Sequence, residues 1–161
     1  MSSWLYRAVL AGLLLATYLW AWTPVRTAWT TQGAALVERV MDAADANGTV
    51  LARPAVHALR VQTDGDTTTG YTAPAGVKFL FPAGVLVLVV PARPRLGIFF
   101  AGHLLIGGLS LGLLAGDAAD LPGGFGLSRF LQTYGVDAYS LTVPVLAFAR
   151  TRHDERPPRS G

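Results

Sequence analysis

Cysteine is absent from this 161-residue chain, and lysine occurs once, at Lys78, among 13 basic residues. The missing cysteine excludes disulfides, thiolate metal sites and cysteine nucleophiles. Charged residues make up only 14% of the chain, whereas hydrophobic residues make up 52%. This composition is more apolar than that of ordinary soluble domains and favours a membrane protein. Abundant alanine, glycine and arginine beside so little lysine also indicate a GC-rich bacterial genome.

The apolar residues fall into four stretches, which predict an all-α membrane protein with a four-helix transmembrane bundle. A helix rises about 1.5 Å per residue, so the first and third stretches are long enough for a hydrocarbon core of about 30 Å. The first stretch lacks a small-x-small cleavage pattern, so we interpret it as an uncleaved span. The predicted division is helix 1 in 1–22, an external module in 23–73, helix 2 in 74–90, a turn in 91–95, helix 3 in 96–115, a loop in 116–129, helix 4 in 130–149 and a tail in 150–161.

Arginine orients these spans. The short connector 91–95 carries two arginines and no acid, the tail is rich in arginine, and Arg7 marks the near end of the first stretch. The positive-inside rule therefore places both termini in the cytoplasm of a bacterial inner membrane, with 23–73 and 116–129 outside. These basic residues lie at helix ends and form no stripe interleaved with aromatic residues, so we reject a nucleic-acid partner. The predicted partners are the lipid bilayer and other membrane protein subunits.

The external module predicts a helix followed by a small β-hairpin. Apolar residues recur at helical spacing through 28–46, and Asn47-Gly48 is a typical helix stop. Apolar and polar residues alternate in 56–63, and 66–72 is rich in β-prone residues. Asp64-Gly65 is the predicted turn between these two strands, and 49–52 could add a third strand. Helix 2 is the least regular span, because Pro82 should kink it.

Two sets of small residues recur at every fourth position. Ala8, Gly12 and Ala16 form one face of helix 1, and Gly108, Gly112 and Gly116 form one face of helix 3. Such faces let helices approach closely in lipid. The contact could be made within the bundle or with a partner subunit.

Only a few polar residues are candidates for chemistry. His103 lies well inside helix 3 and could act in catalysis or proton transfer, but bundle stabilisation through Thr17, Ser110 or a backbone carbonyl is the favoured interpretation. Lys78, Arg129 and Asp137 lie near the outer helix ends, where they could form structural ion pairs or a pocket for an anionic headgroup or peptide carboxylate. The pattern of histidines and acids predicts no metal site and no cofactor.

The order of spans, and above all the segment from Gly76-Val-Lys-Phe-Leu-Phe-Pro82 through His103, resembles the small membrane proteins that accompany exosortase and archaeosortase systems. The resemblance implies a role in envelope protein sorting or surface-polymer export. Because the transpeptidases of those systems use a cysteine, no catalytic residue is carried over. The resulting hypothesis is a non-catalytic accessory or scaffold protein. The alternatives are a membrane enzyme with its site around His103 and a transporter or channel subunit.

Overall fold

The computed structural model describes residues 3–63, 68–89, 94–119 and 124–154, which form six α-helices and one small sheet. The helices are α1 (Ser3–Thr17), α2 (Thr23–Ala43), α3 (Val77–Val89), α4 (Pro94–Ala118), α5 (Gly124–Phe130) and α6 (Val136–Asp154). The strands are β1 (Gly48–Arg53), β2 (Ala58–Thr63) and β3 (Thr68–Thr72).

The predicted boundary at residue 22 lies inside one continuous helix. A five-residue π-helical turn, Tyr18–Trp22, joins α1 to α2, so that Trp4–Ala43 is a single helix of 40 residues. Within this turn the amide of Thr23 donates to the carbonyl of Tyr18, five residues back. The wider turn comes directly before Pro24, whose ring cannot supply a helical N–H, so the helix can pass the proline without ending. The amphipathic segment is therefore an extension of the first helix.

The predicted hairpin is confirmed, and so is the third strand. The three strands form an antiparallel sheet in the order β1-β2-β3, with Val50 opposite Val61 and Leu59 opposite Tyr71. Leu59, Val61 and Tyr71 are buried whereas Arg60 is exposed, as expected for a sheet with one covered face. The predicted Asp64-Gly65 turn lies outside the described residues.

The remaining helices differ from the prediction mainly in their limits. Pro82 lies inside α3, and the predicted turn 91–95 falls largely outside the described residues. The predicted loop 116–129 is mostly helical, because α4 continues to Ala118 and α5 begins at Gly124. A second π-helical turn, Leu131–Gly135, joins α5 to α6, so the predicted fourth span begins one to two turns early.

The helices and the sheet enclose two hydrophobic cores. In the upper core, the covered face of the sheet packs on Val37 and Met41 of α2 and on Leu111 and Leu114 of α4. The lower core lies among α1, α3, α4 and α6. Its buried residues are Ala75, Phe79, Ala83, Leu86, Phe99 and Ala147.

The part of the helical bundle that surrounds the lower core is short. The hydroxyl of Tyr71, in β3, donates to the carbonyl of Gly107, so the sheet reaches α4 at this level. Only residues 94–106 of α4 lie below it, and α3 has 13 residues. At 1.5 Å per residue both segments are about 20 Å long, which is less than a typical hydrocarbon core.

Two of the described helices are long and apolar enough to cross a membrane, namely Trp4–Ala43 and Arg95–Ala118. Val77–Leu88 is apolar but shorter. The chain is thus mostly helical with a three-stranded sheet and two candidate membrane spans.

Candidate functional site

A partly open cavity of about 850 Å³ lies where the sheet meets the helices. Its wall is formed by β2, β3, the segment 73–78, α4 and the π-helical turn Leu131–Gly135, with Arg26 entering from α2. Four of the lining side chains are cationic, namely Arg26, Arg60, Lys78 and Arg129, and none of the described residues that line the cavity is acidic. The concentration of one sign of charge in a concave site favours an anionic ligand.

Arg26 is the most deeply placed of the four cations, with only 7% of its surface exposed. Its Nη1 donates to the hydroxyl of Tyr18 at 3.2 Å and its Nη2 to the carbonyl of Ala73 at 3.0 Å. The Nε atom is buried and has no hydrogen-bond partner among the described residues. Gly76 makes room for the guanidinium, because a Cβ at this position would lie 2.9 Å from Nη2.

The sequence spacing along α2 explains how Arg26 is held. Trp22, Arg26 and Trp29 are four and three residues apart, which places them on one face of the helix. Trp22 Nε1 donates to the carbonyl of Ala75, and Trp29 Nε1 donates to the hydroxyl of Tyr71. Arg26 in turn donates to the carbonyl of Ala73, so the three helix residues bind positions 75, 73 and 71, from the last residues of β3 to the bend that follows it. This ladder ties α2 to the end of β3.

Tyr71 completes the ladder on the cavity side. It is 1% exposed, and its hydroxyl accepts from Trp29 Nε1 at 2.9 Å and donates to the carbonyl of Gly107 at 3.1 Å. Burial raises the pKa of Tyr71 to about 12, so the phenol remains protonated at neutral pH. The protonated hydroxyl is a fixed donor to α4.

A second polar network lies on the α4–α5 side. Ser128 Oγ donates to the carbonyl of Ser110 at 2.8 Å, and Gln132 Oε1 accepts from the amide of Thr72 at 2.9 Å. The hydroxyl of Ser110 lines the cavity, is buried, and has no partner among the described residues. Arg26 and Ser110 therefore both present unpaired buried polar atoms in the wall of the cavity, and native interiors rarely leave such atoms unpaired.

The predicted polar cluster at the outer helix ends is divided in the structure. Lys78 Nζ lies 2.6 Å from Asp137 Oδ1, and both side chains are about half exposed. Lys78 and Arg129 line the cavity, whereas Asp137 does not. The structure thus holds an ion pair at the rim, and Arg129 forms no ion pair within the described ranges.

His103 lies at the bottom of the cavity, with 2% of its surface exposed. Its Nε2 is 3.2 Å from Ser140 Oγ on α6, so neither Thr17 nor Ser110 is the partner. The rings of Phe79, Phe99 and Tyr139 pack edge-on around the imidazole. The residue links α4 to α6 inside the lower core, an arrangement typical of bundle stabilisation.

The predicted small-residue faces do not make the tight helix contacts. Gly12, Gly108 and Gly112 have nothing within 4 Å of a built Cβ, and Ala16 is exposed. Ala8 and Gly116, the outer members of the two faces, are half-buried.

The close approaches use other glycines. A Cβ at Gly107 would lie 2.4 Å from Pro74 Cβ, and one at Gly124 would lie 2.6 Å from the carbonyl oxygen of Leu113. A Cβ at Gly102 would likewise overlap the side chain of Tyr139. Glycine is so frequent in this helix that spacing alone does not show which face is covered within the protein, and a contact of the predicted faces with a partner subunit stays a prediction.

Sequence reasoning also missed Arg26, Arg60 and Tyr71. The available signal was the spacing of Trp22, Arg26 and Trp29 on one face of a helix that is otherwise weakly amphipathic. Within the described residues, no group of three or more histidines and acids is close enough to hold a metal ion.

Comparison with known proteins adds no relative: no family model, no curated protein and no solved structure matches this chain.

Proposed function

We propose that this chain is a non-catalytic, multi-pass accessory protein of the bacterial inner membrane that holds an acidic group in its cationic cavity. The observation that carries the proposal is the composition of the cavity wall. Among the residues that the structure describes, four cationic side chains and no acidic one line about 850 Å³, and the innermost, Arg26, retains an unpaired Nε. Because a buried cation is costly unless it is paired, an anionic ligand would complete the site.

The surface of the long N-terminal helix supports membrane insertion. The 18-residue apolar window of Trp4–Ala43 has none of its residues buried inside the protein. Large apolar side chains therefore face outward along α1 and the π-helical turn that follows it, including Leu13, Leu19 and Trp20. Exposed apolar patches of this extent mark membrane or protein contacts. Four spans, formed by α1, α3, α4 and α6, are part of the proposal.

The arginines support one orientation. Arg7 Nη1 donates to the carbonyl of Leu88, near the end of α3, and Arg95 Nη1 donates to the carbonyl of Ala147, in the second half of α6. Arg7 of α1 and Arg95 of α4 therefore lie at one end of the bundle, opposite the sheet. The positive-inside rule assigns that end to the cytoplasm and the cavity to the outer side.

The enclosure of His103 among three rings supports a structural role over the enzymatic alternative. A role in envelope protein sorting or surface-polymer export, which rests on the resemblance of segment 76–103, belongs to the same proposal.

The orientation is tested with single cysteines, since the chain has none of its own. We expect a cysteine at Leu51, in the exposed strand β1, to react with an impermeant thiol reagent in intact cells. A cysteine at Trp4 should react only after permeabilisation. Labelling of both positions in intact cells, or release of the protein from membranes by alkaline washing, would contradict the proposal.

The cavity is tested with small anions on the purified protein at constant ionic strength, so that general screening does not change. We expect pyrophosphate and citrate to raise the unfolding temperature of the native protein, because a ligand that binds only the folded state stabilises it. The double variant Arg60→Gln/Arg129→Gln should lose this response. Arg53→Gln is the matched control, because Arg53 is an exposed strand arginine outside the cavity wall. An equal response in all three proteins would refute the site.

A further inference from the structure

We propose that the acidic group is the terminal phosphate monoester of a membrane lipid such as phosphatidic acid, and that an acyl chain of this lipid lies along one exposed face of α3. This inference rests on the proposed function and names the ligand of the same cavity.

An apolar stripe leads from the cavity along α3. Val77 lines the cavity, and Val77 and Phe81, one turn apart, are 75% and 76% exposed. Val85 and Leu88 continue the same face and are also exposed, so the stripe consists of residues spaced by four, four and three positions. From Val77 to Leu88 the helix rises about 17 Å, close to the thickness of one leaflet's hydrocarbon, which is about half of 30 Å.

The cavity lies on the outer side of the membrane midplane. It is about 20 Å from the end of the bundle that holds Arg7 and Arg95, as measured by the helix rise through residues 77–89 and 94–106. In a hydrocarbon core of about 30 Å this level is about 5 Å beyond the centre, in the outer half of the bilayer. The phosphate of an outer-leaflet lipid would thus enter the cavity from the side, below the level of the neighbouring headgroups, and its chain would follow α3 through the membrane centre.

The cations favour phosphate over carboxylate. A phosphate monoester carries close to two negative charges and three strong acceptor oxygens, whereas a carboxylate carries one charge and two oxygens. The cavity offers Arg26, Arg60, Lys78 and Arg129. Arginine and lysine are the residues that bind phosphate most often, arginine through paired donors and lysine as a point charge. The unpaired Arg26 Nε and the unpaired Ser110 hydroxyl are two further groups in the same wall.

The test measures lipid binding by the full chain in nanodiscs. The probes are dioleoyl phosphatidic acid in a phosphatidylcholine background, and soluble glycerol 3-phosphate as competitor. We expect phosphatidic acid to bind tightly to the unaltered protein. The double variant Arg60→Gln/Arg129→Gln should weaken this binding by tenfold or more, which is a loss of about 1.4 kcal/mol in binding free energy. Arg53→Gln should leave binding unchanged.

The stripe is tested separately by Phe81→Ala, with Ile98→Ala as control, since Ile98 is 66% exposed on α4. We expect Phe81→Ala to weaken the binding of phosphatidic acid by about fivefold, because contact with an acyl chain is lost. The binding of glycerol 3-phosphate should stay unchanged. Ile98→Ala should change neither.

Each contrary result has a distinct meaning. If glycerol 3-phosphate binds as tightly as phosphatidic acid, or if Phe81→Ala has no effect, the lipid assignment is overturned while the anion site stands. If an acidic peptide displaces the lipid at lower concentration than glycerol 3-phosphate, the phosphate assignment is overturned. If the double variant Arg60→Gln/Arg129→Gln binds every acidic probe as tightly as the unaltered protein does, the proposed function fails as well.

Discussion

Replacing Tyr71 by phenylalanine removes one oxygen atom from the point where the sheet, α2 and α4 meet. The hydroxyl accepts from Trp29 Nε1 at 2.9 Å and donates to the carbonyl of Gly107 at 3.1 Å, and the side chain is 1% exposed. A hydrogen bond contributes about 0.5–1.5 kcal/mol net, and orphaning a buried partner costs about 1–3 kcal/mol. Trp29 is only half-buried and can partly turn to solvent. The free energy of unfolding should therefore fall by about 1.5–2.5 kcal/mol.

The assay is the unfolding of the detergent-solubilised protein, followed by tryptophan fluorescence. For a chain of this size, 1 kcal/mol corresponds to about 2–4 °C, so we expect the unfolding midpoint to fall by about 3–10 °C. The controls are Tyr139→Phe, which removes one hydrogen bond to the carbonyl of Ile98, and Tyr134→Phe, which alters a side chain that is 64% exposed. Equal losses in all three variants would refute the argument that burial makes the Tyr71 hydroxyl important.

Two further predictions concern neighbouring glycines and one histidine. Gly107→Ala should destabilise the protein, because its Cβ would lie 2.4 Å from Pro74, whereas Gly108→Ala should stabilise it by about 0.5–1 kcal/mol, since that position is open and alanine favours helix. The thermal midpoints of the pair check this, and a gain in both variants would contradict the packing. Burial and the nearby Arg26 cation lower the pKa of His57, so the folded state binds fewer protons than the unfolded state. Stability should therefore be lost as the pH falls below about 6.5, the unfolded value, and His57→Asn should make that slope shallower. An unchanged slope in the variant would exclude His57 as its source.

Local patterns predicted the elements whose formation depends on neighbouring residues. The alternation of Leu59, Val61 and the polar residues between them predicted β2, and the β-prone run 66–72 predicted β3. Periodic apolar residues predicted helix on both sides of residue 22. They did not show that the two helices are one, because Pro24 normally ends a helix and only the π-helical turn lets the chain pass it.

The candidate site could be predicted only in part. Lys78 and Arg129 were identified because charges near the ends of apolar spans are conspicuous, and both line the cavity. Arg26 and Tyr71 were missed because their partners are distant in sequence. Arg26 meets Ala73 across 47 residues and Tyr71 meets Gly107 across 36. The spacing of Trp22, Arg26 and Trp29 places the three side chains on one helix face, but it does not show which distant segment they meet.

The sequence by itself determined that the chain forms long apolar helices, two of which could cross a membrane, and the kinds of element that accompany them. These follow from apolar run length, charge distribution and side-chain period, which are properties of short stretches of chain. The tertiary structure alone decided which glycines touch, which arginine is buried, and that four cations surround one cavity. Those outcomes depend on how the helices rotate and approach one another. Successive residues on a helix are about 100° apart, so Gly107 lies on a covered face whereas Gly108 lies on an open one.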